Sequence, residues 1–366
     1  RWFSAGLAVH EQRQARDGWG HQASPGFLNR YREDLLLPAS QLNAGFVQPK
    51  YPEQVIDSYL QASLVFDFIE TRWGFGPILE MLHGYRNGET TPELVDRLLG
   101  MSMEELDESY DEYFQGRFGS AIEALAAPGA SVGIVGQPQS VEDWTRMARE
   151  NPGNFQTRLA LGVMLFNEDR LDDAEEHLRA AMRLFPEYGG RDSPYWYLAQ
   201  IHRERGEAGL AVAALQRLTA LNESHYEAFL QLGELQEGLG EADESAAALD
   251  AAVLIYPYEI ELHERLAEAH TERGDATGTV RERRAIVALA PADLAEAHYE
   301  LARAYLSDGR PADARRAVLR ALEIAPSFED ALDLLLEVRR GATSGPKDSA
   351  GTDEAVPEGE ETLCAA

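Results

Sequence analysis

Two short stretches of the sequence place histidine close to glutamate, a combination that zinc hydrolases use. Two His one helical turn apart can bind one Zn²⁺, and a Glu between them can act as a general base. The stretch HEQRQ at 10–14 lacks the second His, and HERLAEAH at 263–270 places its two His seven residues apart. Neither stretch satisfies the spacing, so no zinc ligand is assigned to either.

The charge balance limits the classes of partner. The 366 residues include 33 Lys plus Arg and 63 Asp plus Glu, a net charge of −30 that repels nucleic acid and anionic lipid. The single Cys364 excludes an intramolecular disulfide and a cysteine metal cluster. No stretch approaches the roughly 20 apolar residues of a membrane span. We therefore expect protein or peptide partners, no nucleic acid and no transmembrane segment in this chain.

An internal repeat predicts the secondary structure of the later part of the chain. One position per repeat recurs at spacings of 34, 37, 34, 34 and 35 residues, namely Pro152, Pro186, Glu223, Pro257, Pro291 and Pro326. A small residue after a Leu lies 24 positions before each of the last five, at Gly162, Ala199, Gly233, Ala267 and Ala302. A turn residue lies 17 positions before, at Asp169, Gly206, Gly240, Gly274 and Gly309. This pattern resembles the tetratricopeptide repeat, in which paired helices bury a continuous core.

The whole chain is predicted to be all-α. Residues 1–118 form a helical subdomain, and a Gly-, Pro- and Ser-rich linker occupies 119–140. An α-solenoid of about five helix-turn-helix repeats fills 141–340 and ends in a capping helix, SFEDALDLLLEVRR. Residues 341–366 hold few large apolar groups and are predicted to be a disordered acidic tail.

Helix signals also occur before the array. Ser102 and Glu105 form a capping box, and Thr91-Pro92 supplies an N-cap and a first-turn Pro to the next helix back. The stretch VIDSYLQASLVFDFIETRWG carries apolar side chains on nearly every turn, as a buried helix does. Residues 17–50, with several Pro and Gly, are expected to be irregular.

Three of these segments together resemble a known family. RWFSAGLAVHEQ, SYLQASLVFDFIETRWGFGPILEMLHGY and TTPELVDRLLGMSMEELDESYDEYF are similar, in order, to the C-terminal subdomain of a peptidase-MA-like gluzincin. In that family a HExxH helix is followed by a segment of the form WLxEGLAxYxE, whose EGLA glutamate is the third zinc ligand. The resemblance implies an incomplete peptidase domain with the HExxH helix upstream, followed by tetratricopeptide repeats as in bacterial relatives.

The resemblance also shows what the segment lacks. Ala5 stands at the third-ligand position, and a methyl group has no lone pair for zinc. His10 and Glu11 lie about 140° and 240° around the helix from position 5, so a solvated or second-shell role is expected for both. Tyr59 is the one catalytic candidate, and the alternative is that it has a structural role on an apolar helix. His83 is expected to lie at a helix end. No cofactor is expected in this chain, and zinc only if a HExxH exists upstream.

The first helices of the repeats should line a concave groove. We predict a peptide-binding groove with an acidic middle flanked by aromatic and Arg positions, suited to a basic or mixed-charge peptide. The alternative is that these are solvated faces of a strongly acidic protein. The predicted residues are Phe166, Trp196, Arg203, Glu227, Glu234, Glu237, Glu261, Glu264, Glu268, Glu272, Tyr299 and Arg303.

Three functions are consistent with these features. The first is a peptide-interaction scaffold, which the repeats favour. The second is the C-terminal part of an active bacterial zinc metallopeptidase, which the opening segment favours and Ala5 opposes. The third is an inactive peptidase-like domain retained as a platform beside the repeats. The resemblance also implies an extracytoplasmic location, periplasmic or secreted.

Overall fold

The computed structural model describes residues 1–15, 19–20, 22–126 and 140–343, the last three without side chains. Within these ranges the protein contains helices and no strand, as predicted. No helix there is long and apolar enough to cross a bilayer. The predicted acidic tail from 344 onward and most of the predicted linker lie outside the described residues.

The chain forms two compact units, Arg1–Pro257 and Tyr258–Ala366. The boundary falls inside the segment predicted as a repeat array. The predicted segment boundaries near 118, 140 and 340 stay predictions from the sequence.

The first part of unit 1 contains seven helices and one 3₁₀ turn in the described ranges. They are α1 (Trp2–Ala15), α2 (Pro25–Arg32), the 3₁₀ turn Ala39–Gln41, α3 (Leu42–Val47), α4 (Gln54–Trp73), α5 (Gly76–Arg86), α6 (Thr91–Leu99) and α7 (Met103–Ala126). The segment 17–50, expected to be irregular, thus includes two short helices. Helix α7 runs to Ala126, so residues 119–126 of the predicted linker are helical.

Helix α4 is the buried centre of this region. Most of its side chains are buried, and the aromatic start of α1 packs on it, with Phe3 5.1 Å from the Phe66 ring centroid and 4.8 Å from that of Tyr85. Burying each such ring contributes about 1.5–3 kcal/mol. Gly6 of α1 faces Ala62 so closely that a Cβ at position 6 would lie 2.7 Å from the Ala62 backbone. The small residue therefore lets α1 and α4 approach each other.

The capping residues decide where α6 and α7 begin. Ser102 and Glu105 form the predicted box, because the backbone N–H of Glu105 donates to Ser102 Oγ at 3.2 Å and Ser102 N–H donates to Glu105 at 2.7 Å. The N-cap of α6 is Thr90 and not Thr91, since the backbone N–H of Thr90 donates to Glu93 at 2.7 Å. Each reciprocal pair satisfies N–H groups that the helix leaves open.

The remaining helices of the described residues follow along the chain. In unit 1 they are α8 (Val141–Glu150), α9 (Phe155–Asn167), α10 (Leu171–Leu184), α11 (Pro194–Glu204), α12 (Ala208–Leu221), α13 (Tyr226–Leu239) and α14 (Ala242–Ile255). In unit 2 they are α15 (Ile260–Glu272), α16 (Ala276–Ala288), α17 (Leu294–Ser307), α18 (Pro311–Ile324) and α19 (Glu329–Thr343).

The repeat signature has the predicted physical cause. A Cβ added at Gly162 would lie 2.8 Å from the Leu178 side chain, and one at Gly233 would lie 2.8 Å from Leu249, so each glycine admits a large residue of the paired helix. The matching alanines are almost fully buried, at Ala199, Ala267 and Ala302. The turn residues take positive φ, namely Asp169, Gly206, Gly240, Gly274 and Gly309.

Candidate peptide-binding groove

The first-helix face in unit 1 carries half of the predicted groove residues. Trp196 is half-buried and its ring stacks on His225 with the centroids 5.1 Å apart, while Phe166 meets Tyr197 edge-on at 5.4 Å. The remaining four residues are exposed, namely Arg203, Glu227, Glu234 and Glu237. The two aromatic residues thus contribute to packing between repeats and keep part of each ring accessible.

His225 connects this aromatic contact to the next helix. Its Nδ1 accepts a hydrogen bond from the backbone N–H of Ala228 and so caps α13. Burial lowers the pKa of His225, although the carboxylate of Glu227, 3.5 Å away, acts in the opposite direction. A neutral imidazole is therefore favoured beneath the Trp196 ring.

The matching face in unit 2 is more acidic. Glu261, Glu264, Glu268 and Glu272 are exposed at three- and four-residue spacing and form one stripe along α15. Within the described residues, none of the four carboxylates has an ion-pair or hydrogen-bond partner. These four residues belong to the acidic middle of the predicted groove, which stays a prediction.

The aromatic and Arg positions of unit 2 lie together on α17. Tyr299 is half-buried, with its ring 5.1 Å from that of Phe328 and the Arg303 guanidinium 5.9 Å above it. Arg303 also donates to Glu300 at 2.8 Å. Burial raises the pKa of nearby Glu296, and the carboxylates of Glu300, Asp293 and Asp330 raise it further. Burial and the surrounding carboxylates therefore both disfavour the ionised form of Glu296.

A cavity of about 510 Å³ brings part of the predicted set together. Glu268, Glu272 and Arg303 line it, as do Arg283 and Glu300, which the sequence prediction missed. Glu300 lies between two guanidiniums, 2.8 Å from Arg303 and 3.7 Å from Arg283. The prediction took residues only from the first helix of each repeat, whereas Arg283 belongs to the second helix, α16.

The residues singled out on α1 do not come together as a zinc site. Ala5 is half-buried on α1, and His10 is 1% exposed with Nδ1 2.9 Å from Asp67 and Nε2 3.1 Å from Glu70. Of the two expected roles, solvated or second-shell, burial excludes the solvated one for His10, because α4 supplies a carboxylate to each ring nitrogen. Glu11 is exposed, as expected.

The other residues singled out by the sequence have structural surroundings. Tyr59 is half-buried, with its ring edge-on to Phe46 at 5.1 Å. His83 is exposed in the last turn of α5, at the expected helix end. In unit 2, His263 lies 2.6 Å from the buried Glu282, and His270 lies 3.1 Å from Arg281.

Comparison with known proteins agrees with the repeat geometry. Residues 138–188 and 198–260 match one tetratricopeptide-repeat family profile, and residues 295–328 match a second. Within the described residues the fold is therefore all-α, and the helix pairs of the matched segments are tetratricopeptide repeats of the α-solenoid type. No curated protein sequence matches the chain.

The chain also matches, in part, solved structures that are described as tetratricopeptide proteins. YrrB, described as having an unusual peptide-binding site, is 16% identical with a TM-score of 0.40 and covers 53% of this chain and 98% of its own. A thermophilic tetratricopeptide protein from Thermus thermophilus is 24% identical with a TM-score of 0.26, covering 52% and 99%. The first repeat domain of Spaghetti (RPAP3), bound to an HSP90 peptide, is 18% identical with a TM-score of 0.28, covering 32% and 94%. No ligand is assigned to this chain from these structures.

Proposed function

We propose that this chain is a protein-interaction scaffold that binds a peptide segment of a partner on the first-helix faces of its tetratricopeptide repeats. The cavity between α15, α16 and α17 carries the proposal. It is concave, it has the volume of a ligand site, and it contains charged groups that have no partner among the described residues. Each unit has its own first-helix face, and the cavity of unit 2 is the better-defined binding site.

The charges of this cavity favour a peptide with Lys or Arg. Glu300 is already paired with Arg283 and Arg303, whereas Glu268 and Glu272 have no partner among the described residues. Three carboxylates against two guanidiniums leave a net charge of −1. An incoming ammonium or guanidinium group would pair with a free carboxylate, while the Arg283 and Arg303 side chains still offer N–H donors to peptide carbonyls.

The affinity of a Lys-rich peptide for the full chain tests the assignment. We compare wild type with Glu268→Gln/Glu272→Gln by fluorescence anisotropy at low and high salt. Each exposed ion pair contributes about 0.2–1 kcal/mol, so the double variant should bind about 2- to 30-fold more weakly at low salt. The difference should shrink at high salt because exposed charges are screened.

A matched control separates the cavity from the overall negative charge. Glu329 and Glu337 of α19 are exposed and lie outside the cavity, so Glu329→Gln/Glu337→Gln removes the same charge elsewhere in unit 2. This control should bind the peptide like wild type. Equal weakening by both double variants would mean that the peptide responds only to net charge and would contradict the proposed site.

We further propose that the peptidase-like segment is catalytically inactive. The residues present do not fit a zinc centre, because Ala5 offers no ligand atom and both nitrogens of His10 face carboxylates of α4. Metal analysis of the full-length gene product checks this, and we expect substoichiometric zinc. Stoichiometric zinc with peptide hydrolysis would instead support the active metallopeptidase.

A further inference from the structure

A second cavity, of about 350 Å³, lies within unit 1, and none of its lining residues belongs to the predicted groove. We call it the Arg13–Arg117 cavity. Helices α1, α4 and α7 supply Arg13, Asp67, Glu70 and Arg117 to its wall, and Gln22 lines it from the segment after α1. Nearly every lining side chain has a hydrogen-bonding group, and the volume is at the lower end of the range for small-molecule sites.

One carboxylate holds both guanidiniums in place. Asp67 Oδ2 accepts from Nη1 of Arg13 at 2.8 Å and from Nη1 of Arg117 at 2.9 Å, while its Oδ1 lies 2.9 Å from His10. Burial acts to raise the pKa of Asp67, but the hydrogen bond from His10 and the charges of Arg13 and Arg117 lower it below its usual value. The carboxylate is therefore ionised and has little capacity left for a ligand.

Arg13 has more donors than the protein uses. Its side chain is only 15% exposed, and Nη1 makes both of its hydrogen bonds, to Asp67 and to Ser63 at 3.3 Å. A guanidinium has five N–H groups. Among the described residues no acceptor meets Nε or Nη2, so these groups are open to an acceptor in the cavity. A carboxylate is the acceptor whose geometry matches the guanidinium fork.

The local charge balance argues against a simple anion. Apart from His10, the cluster contains the cations Arg13 and Arg117 and the carboxylates Asp67, Glu70 and Glu187, the last 3.5 Å from Arg117. Two positive and three negative charges give the cluster a net charge of −1, and a bound anion would make its net charge −2. Glu70 is 38% exposed and lies three residues after Asp67, on the same face of α4. Its Oε2 lies 3.1 Å from His10 Nε2 and accepts a hydrogen bond from Gln14 at 3.5 Å, whereas its Oε1 has no partner among the described residues and can accept a positive group.

We propose that the Arg13–Arg117 cavity binds a small zwitterion, a free amino acid, with its carboxylate on Arg13 and its ammonium group on Glu70. The ligand is neutral overall, so the charge of the cluster does not change on binding. This site is independent of the peptide groove, because it shares no residue with the cavity of unit 2.

Calorimetric titration of the full chain with a panel of free amino acids tests the proposal. At least one should bind saturably, and its N-acetylated and C-amidated derivatives should each bind at least about 10-fold more weakly, the loss expected for about 1.4 kcal/mol. This comparison uses the wild-type protein and does not depend on a variant folding. Binding of no amino acid, or equal binding of acetate and the amino acid, would overturn the proposal.

Variants locate the site. Arg13→Gln should lose at least about 10-fold in affinity, and Arg13→Lys should also bind more weakly because an ammonium group lacks the planar fork. Arg86→Gln removes an exposed Arg of the same unit outside both the cavity and the predicted groove, and should bind like wild type. Circular dichroism confirms that each variant is folded. Unchanged binding by a folded Arg13→Gln would place the ligand elsewhere and refute the assignment.

Discussion

The contact between α1 and α4 gives the sharpest prediction about the fold. In Gly6→Ala the new Cβ would lie 2.7 Å from both the carbonyl carbon and the Cβ of Ala62, and 2.8 Å from its carbonyl oxygen. Ordinary contacts of a Cβ begin near 3.4 Å, and here the neighbour is mostly backbone, which cannot rotate away. The two helices must therefore separate.

The expected change in stability of Gly6→Ala is the balance of two opposing effects. Overpacking costs about 1–3 kcal/mol, whereas replacing Gly by Ala inside a helix gains up to about 1 kcal/mol. We expect the clash to dominate and Gly6→Ala to be about 1–2 kcal/mol less stable than wild type. Separation of the helices also weakens the packing of Phe3 on Phe66, which adds to the loss.

Urea unfolding monitored by circular dichroism measures this effect, with Gly116→Ala as the matched control. Gly116 is exposed within α7, and a Cβ there meets no atom within 4 Å, so this variant should be stabilised by about 0.5–1 kcal/mol. Opposite shifts of the two unfolding midpoints are predicted. If Gly6→Ala were as stable as Gly116→Ala, the close approach of α1 to α4 would be refuted.

Two further predictions concern charge and turn conformation. Asp67→Asn should lower stability by about 3 kcal/mol near neutral pH, since it leaves Arg13 and Arg117 without their shared carboxylate. Because the folded-state pKa of Asp67 is depressed, the stabilisation by its carboxylate is present above the unfolded pKa of about 4 and is lost as pH falls through the folded pKa. Denaturant titrations at several pH values measure this, and an equal difference in stability between wild type and Asp67→Asn at every pH would contradict it. Asp169→Gly should stabilise the protein by about 0.5–1 kcal/mol, because Asp169 has φ of 59°, a left-handed conformation that Gly adopts without the steric cost of a Cβ. An unchanged melting temperature of this variant would argue against strain in the turn.

The repeated part of the chain was predictable in detail because its signal is local and recurs. Small residues such as Gly233 and turn residues such as Gly240 recur at fixed offsets, and each offset corresponds to one contact or one backbone conformation in the structure. A single Gly at one of these positions would not predict a repeat. Because several repeats agree, the positions can be identified from the sequence alone.

Contacts between distant segments were not predictable in the same way. The angular position of His10 on α1 left a solvated and a second-shell role open, and it could not reveal the partners Asp67 and Glu70, which lie on α4. Arg283 was missed in the groove for a similar reason, since it reaches the cavity from a second helix. Which side chains of different helices meet depends on packing, and no periodicity in the sequence encodes it.

A charge-reversal experiment tests the central claim, peptide binding in the cavity of unit 2, most directly. The affinities of a Lys-rich peptide and its Glu-substituted counterpart are measured for wild type and for Glu268→Lys/Glu272→Lys. Wild type should prefer the Lys-rich peptide and the variant the Glu-substituted one, because the two reversed side chains line the same cavity. If the folded variant kept the wild-type preference, the cavity would not be the peptide-binding site.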